Sequence, residues 1–539
     1  MTAAPAGIGR RKATATALGL ALAIGSWWGT SRAHVGSPDT WFEGPAGRYP
    51  VRVVVRAPGV VPGLAEIDVR VLAGRPTRVA VQPFIWNGGA DAAPPPENAL
   101  PVRGDPRLFD AHLWFMVASS YAVHVTVSGD RGAGKAIVPV QVVATRRLPM
   151  SPALGGLLAA LGLFLLAGLL TFLGAAAGEG VLPPGEPIDA SHRRLARVVV
   201  TVSAAILALA LAGGRQWWNA VDRAYRQNLN RPLHAAATLL AGAPAPVLGI
   251  AIDDPEWMGR RWTPLIPDHG KLMHLFLIRE PGLDAMAHLH PLMRDSSHFE
   301  SPLPLLPAGH YRVYADVVHE SGFARTLVAS LDLRPGGGAA TPSEASGDTP
   351  GADPDDSWYV GEPEGDRGAD PSCLLRDGAT IEWVRGPEPL VAGRDRPLRF
   401  VVRDSDGRPA PLEPYLGMPA HAVVTRVDGS VFAHLHPIGT VSPASQMALT
   451  LRTPADTVPG SLARRLAGMG SMGAMGDPAA GPPGEFAIPY GFPSPGRYRL
   501  WVQVRLRGAV ETGVFDAYVS PAAGNRSSRP LISSPGLPR

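Results

Sequence analysis

Cysteine is nearly absent. A single thiol, Cys373, in 539 residues excludes an intramolecular disulfide, a CxxC redox pair, a thiolate zinc finger and an iron–sulfur cluster. Charge of one sign is missing too. Fifty Lys and Arg against 46 Asp and Glu leave a net charge of +4, and the short arginine runs carry no interleaved aromatics, so nothing points to a nucleic-acid partner. A nucleophile elbow, a HExxH helix, a phosphate loop and a dinucleotide fingerprint in their proper contexts are all lacking. GAGKA at 132–136 has neither the spacing nor the Ser/Thr of a phosphate loop. The expectation is a protein that is not an enzyme.

What the chain does have is glycine (62) and proline (57), together over a fifth of its length, which breaks helices and favours turns and edge strands. Length alone suggests several domains. Residues 1–33 read as an export signal: Arg10, Arg11 and Lys12, then an apolar stretch over 17–28, then Ser31-Arg32-Ala33 with small residues at −3 and −1 of a cleavage site. Residues 151–174 carry no charge and have the length to cross a bilayer. A second uncharged run covers 198–214. His192, Arg193, Arg194 and Arg197 in the intervening segment 175–197 place it in the cytoplasm, and Trp217 and Trp218 follow the second span as interfacial indoles. Two crossings put 34–148 and everything after 214 on the outer side, so the expected location is the cell membrane, with domains facing the periplasm or cell exterior. Spans without intramembrane charge do not suggest a transporter.

The outer parts read as β structure. Alternating runs at 49–56, 65–72, 77–82, 112–117, 121–127 and 136–144 predict a sandwich over 34–148. A second β unit covers 232–335 and a third 372–520. Residues 336–371 form an acidic Gly/Pro-rich linker, with nine acids against one Arg between Ala340 and Asp370, and 521–539 are a polar tail. The second and third units are repeats. KLMHLFLIREPGLDAMAHLHP (271–291) parallels MPAHAVVTRVDGSVFAHLHP (418–437), and LPAGHYRVYADV (306–317) parallels PSPGRYRLWVQV (493–504).

Residues two apart on a strand share a face, so His288 and His290 point one way, as do His434 and His436. With Asp428-Gly429 as a two-residue turn, Val427 meets Ser430 and His421 comes opposite His436, with His434 on the diagonal. His274 plays the part of His421 in the first copy. Three imidazoles per repeat, with no thiol competing, suit copper, zinc or nickel. His319 is a candidate fourth ligand in the first copy; His269, His298 and His310 read as solvated loop residues. Met469, Met472 and Met475, in a glycine-broken MGSMGAMG, are soft donors suited to Cu(I). If cleavage falls after Ala33, His34 begins the mature chain and can chelate Cu(II) through its α-amine and imidazole, with His112 or His124 completing a brace. Each metal site is expected to be partly exposed.

The HGKLMHLFLIR and AHLHP stretches resemble the hairpin of bacterial extracytoplasmic YtkA-like β-sandwich domains. They also resemble His- and Met-bearing segments of periplasmic copper-handling proteins, CopC-like domains among them. Over roughly half the chain that resemblance implies tandem immunoglobulin- or cupredoxin-like sandwiches that bind metal. Without a cysteine near the histidine hairpin, a blue-copper site is not expected. The functional expectation is a membrane-anchored protein for copper handling or resistance, with zinc the alternative metal and any extracytoplasmic protein partner unspecified. The competing expectation is a metal-free structural or interaction protein built on the same sandwiches.

Overall fold

The computed structural model describes residues 34–35, 37–89, 92–180, 182–183, 185–240, 246–258, 264–334, 352–365, 370–453, 455–456, 458–468 and 482–522. The export segment, the methionine loop and the C-terminal tail lie outside them. The chain is mainly β, in several largely antiparallel sheets, with two long apolar helices.

The first unit packs two antiparallel sheets face to face. Val51, Val53 and Val55 from one and Val123, Val125 and Val127 from the other alternate into a shared core. That alternation follows from the two-residue period of a strand. A strand not foreseen from sequence, Asp39–Ala46, carries Trp41 out of this unit and into the core of the third one. Residues 34–35 add in parallel to Val431–Phe432, and Thr440 N–H donates to Trp41 O at 3.0 Å.

Helices α1 (Pro152–Glu179) and α2 (Ala190–Gln227) form an antiparallel pair. Ser151 and Asp189 accept the first free backbone N–H groups of each. Small residues bring the two together: a Cβ at Gly174 would stand 2.9 Å from Val200 Cγ2. Leu157, Phe164, Phe172 and Leu209 face outward and are exposed. Both helices are longer than the expected spans of 151–174 and 198–214. His192, Arg193, Arg194 and Arg197 belong to the first turns of α2, so the connection shrinks from 175–197 to 180–189.

The repeats share one plan. In the first, β1 (His274–Glu280) lies between β2 (Ala285–Leu289) and β3 (Gly309–His319), and β4 (Ala324–Leu333) follows. In the second the same places belong to β5 (His421–Arg426), β6 (Val431–Leu435), β7 (Gly496–Leu506) and β8 (Ala509–Ser520). In each, the last strand takes a short parallel partner, Leu233–His234 or Leu390–Val391. One face of each sheet packs on a smaller four-stranded sheet. The other faces of the two sheets meet each other through Phe276, Ile278, Met286 and Tyr314 from one repeat and Val423, Phe432, Trp501 and Val514 from the other. Hence β1, β2, β5 and β6 are buried almost throughout: Leu275 and Leu277 fill the core of their own repeat, while Phe276 and Ile278 fill the seam.

The seam is pseudo-twofold, as when two copies of one surface pair. Arg312 on β3 donates to Gly429 O at the hairpin turn of the second repeat, 3.2 Å away. Its counterpart on β7, Arg499, donates to Leu283 O at the hairpin turn of the first, at 3.0 Å. Two sequence expectations change here. The 336–371 linker is partly folded: Ser357–Val360 is a strand on the edge of β2. Its acids are drawn in by cations, Lys271 to Asp353 at 2.5 Å and Arg505 to Asp355 at 2.6 Å. The segment after 440 forms helices α3 (Pro443–Leu451) and α4 (Ser461–Gly468), which pack on Ile266 and Val318 of the first repeat.

Candidate metal centre

The hairpin registers come out as the sequence implies. Leu275 pairs with Leu289 and Ala422 with Leu435, so one step further sets His274 across from His290 and His421 across from His436. The second turn closes a residue earlier than expected, Gly429 N–H to Arg426 O at 2.7 Å. Gly429 takes a φ of 68°, which glycine adopts without a Cβ clash, and the register is kept.

Alternation then puts every hairpin histidine on the seam. His274, His288, His290, His421 and His436 are 4 % exposed or less, and His434 is buried at its side chain. The expectation of two partly exposed sites is overturned: packing repeat on repeat merges both patches into one interior cluster. Ring centroids of His274 and His434 stand 5.3 Å apart, and those of His288 and His434 5.6 Å. His269, read from sequence as a solvated loop residue, joins the cluster, 5.0 Å from His421 and 5.3 Å from His436.

Two triads have ligand nitrogens within 4.8 Å of one another: His274, His288 and His290; and His269, His421 and His436. A third group, His290 with Asp353 and Asp356, meets the same distance. His434 turns its Nδ1 to Asp316 Oδ2, 3.4 Å away. His319 lies elsewhere, packed on Trp257 at a ring separation of 5.5 Å, and is not brought to the cluster. Met469, Met472 and Met475 fall outside the described residues, as does the side chain of His34. His112 sits beside Asp110 and His124 against Phe84, on two other sheets, while the backbone of His34 pairs with Val431. His298 and His310 are exposed, as expected, beside Asp295 and Asp332. Cys373 is buried in the core of the second repeat.

Hydrogen bonds fix the ring orientations. His274 Nε2 meets Asp268 O at 3.2 Å; a carbonyl only accepts, so this nitrogen carries the proton and Nδ1 the lone pair. His288 Nδ1 meets Gln503 Oε1 at 2.9 Å and Tyr415 Oη at 3.2 Å. Tyr415 gives its one proton to Asp355 O, and Gln503 Nε2 donates to Ser357, so His288 Nδ1 is the donor and Nε2 the lone pair. The two lone-pair nitrogens, His274 Nδ1 and His288 Nε2, face each other at 3.1 Å. His290 Nδ1 is held by Asp356 at 3.0 Å, which leaves Nε2 facing inward. Among the described residues, His290 Nε2, His434 Nε2, His269 Nε2 and both ring nitrogens of His421 and His436 are buried with no hydrogen-bond partner.

Burial pushes His288, His290, His421, His434 and His436 well below the ordinary imidazole pKa, and the neighbouring histidines add to this. The rings are therefore neutral, the form that ligates metal. Burial raises Asp316 to about 6 and Asp356 to about 7. For Asp268 burial pulls upward, and the Ala444 N–H, which donates to its Oδ1 at 3.0 Å, pulls the other way.

Sequence reasoning missed His269, Asp356, Tyr415 and Gln503. His269 and Tyr415 sit in matching turns just before β1 and β5, each closed by a pair of backbone bonds: Asp268 with Lys271, and Tyr415 with Met418. Comparing the turns would have shown His269 standing where Leu416 stands in the second copy, both in the left-handed region.

Residues 375–521, the second repeat alone, match a family described as a domain of unknown function, DUF8832. No curated protein matches the chain. Among solved structures, a fragment of the ICAM-5 ectodomain, D1–D4, is similar at 9 % identity, over 86 % of this chain and 74 % of that one, with a TM-score of 0.13. An endo-fucoidan hydrolase of glycoside hydrolase family 107 is similar at 7 % identity, over 87 % and 43 %, with a TM-score of 0.15. A putative membrane anchored protein from Corynebacterium diphtheriae is similar at 8 % identity, over 91 % and 97 %, with a TM-score of 0.12. Scores this low carry no argument about fold or function.

Proposed function

We propose that this chain is a membrane-anchored, extracytoplasmic metal-binding protein, with copper the first candidate and zinc the second, serving metal handling or resistance. In this reading α1 and α2 cross the bilayer, the β units lie outside the cytoplasm, and the repeats are immunoglobulin- or cupredoxin-like sandwiches. The chain carries metal rather than catalysing a reaction.

The observation that carries the reading is the pair of lone-pair nitrogens, His274 Nδ1 and His288 Nε2, facing each other at 3.1 Å. Two acceptors at that distance repel unless a cation lies between them. Protonating either ring is opposed by burial. Two imidazoles bound to one ion at about 2.0–2.1 Å have nitrogens about 2.9–3.4 Å apart, which matches. His290 Nε2 is the third donor, with Asp356 behind it in the carboxylate–histidine arrangement that orients metal ligands. An all-imidazole set suits copper(II), zinc or nickel, and the general order of affinities favours copper(II). The Met469, Met472 and Met475 loop remains in the proposal as a Cu(I) donor, His34 as an N-terminal one.

The test is a titration of the full chain in detergent, without an affinity tag, with copper(II) and with zinc(II). The wild type retains metal after desalting, and His288→Ala with His290→Ala loses the ion of the first triad. Equal metal content in the two proteins would sink the assignment. The metal-free alternative, in which the histidines only join the repeats, is favoured by their position on a buried seam; it predicts that the wild type retains none.

A further inference from the structure

We infer that the cluster holds two ions, and that the second is shared between the repeats, with His269 of the first repeat completing a site otherwise made by His421 and His436 of the second. This rests on the metal reading above and adds to it a second, composite site of a different kind.

The first triad is complete within one repeat, with Gln503 and Tyr415 of the second repeat behind it. The second repeat does not mirror this. His434, the counterpart of His288, turns its Nδ1 across the seam to Asp316, and Asp316 stands where Gln503 stands in the other repeat. What is left in the second repeat is His421 and His436, with four ring nitrogens buried and unpartnered among the described residues. Leaving a buried polar nitrogen unpaired is costly, and native structures rarely gather several in one place.

His269 supplies the missing third donor. It sits in the Asp268–Lys271 turn at a φ of 52°, and its own Nε2 is buried and unpartnered. The three ligand nitrogens lie within 4.8 Å of one another. Leu416 occupies the matching turn position in the second repeat, so the composite site exists once, in one direction across the seam. His434 Nε2 is also unpartnered, and its ring is 4.4 Å from His436 and 5.3 Å from His274. With one lone pair facing inward it can join either ion but not both. Asp268, Asp316 and Asp356 border the cluster and supply the negative charge that two buried divalent ions need.

The experiment is metal content and copper(II) paramagnetic resonance on the full-length protein in detergent, wild type against His269→Gly. Glycine tolerates the left-handed turn, and matching melting curves verify that the variant is folded. The wild type is expected to retain two ions per chain with a dipole-broadened signal, and His269→Gly one ion with the sharp signal of isolated copper(II). One ion in the wild type, or two in His269→Gly, overturns the shared site while leaving metal binding intact. No ion in the wild type overturns the underlying reading as well.

Discussion

Arg499 ties the second repeat to the hairpin turn of the first, and removing it has a calculable consequence. The residue is fully buried. It forms a two-pronged ion pair with Asp516 at 2.7 and 3.0 Å and donates to the carbonyls of Leu283, Glu362 and Pro363 at 3.0, 2.7 and 2.9 Å. Arg499→Met keeps much of the volume but strands the Asp516 carboxylate and three carbonyls. Breaking one side of such a buried pair costs about 3–5 kcal/mol. At about 2–4 °C per kcal/mol for a unit of this size, the melting transition should fall by about 6–20 °C. Adding Asp516→Leu removes the stranded charge, and the double variant should regain most of the loss. Calorimetry of the full chain, with denaturant unfolding alongside, reads both. A drop below about 1 kcal/mol for Arg499→Met, or a double variant no better than the single, would show that the seam is not held as described.

Phe432 stacks on Tyr314 at 3.9 Å in the same seam, so Phe432→Ala should cost about 3–5 kcal/mol in the same melts; a loss under 1 kcal/mol contradicts the packing. In the first unit, burial and then Lys135 lower His124 to about 4. The unfolded chain therefore takes up the proton first as pH falls, and the stability present above about 6.5 drains away toward pH 4. His124→Leu should reduce that slope by its one proton's share, the seam histidines keeping theirs, and an unchanged slope would reject the cause. Reporter fusions after residues 145, 185 and 330 should read outside, inside and outside; a cytoplasmic signal at 330 contradicts the two crossings.

The pleat made much of the site legible. The two-residue period and the Asp428-Gly429 turn were enough to put His421 across from His436, a relation that depends on one hairpin only. The sequence could not show which face of the sheet would be covered. Phe276, Phe432, Tyr314 and Trp501 lie on the same face as the histidines, and such a row of large apolar residues on a supposedly exposed face marks a packing surface. The acidic 352–365 segment looked like a linker because its charge was counted alone, without Lys271, Arg505 and the His290 ring that draw it in. His269 was lost because its partners come from the other repeat. Strand Asp39–Ala46 pairs with its neighbour Tyr49–Arg56, but its bonds to Ile438 and Thr440, about four hundred residues away, lie beyond the reach of local pattern.

The central claim, that the buried histidines hold metal, is met most directly by X-ray absorption on the untagged full chain loaded with copper(II) and freed of excess ion. The account predicts retained copper in a nitrogen shell at about 2.0 Å, with the multiple-scattering pattern of several imidazole rings. A chain that comes through metal-free, or copper surrounded by oxygen without that imidazole pattern, would contradict it.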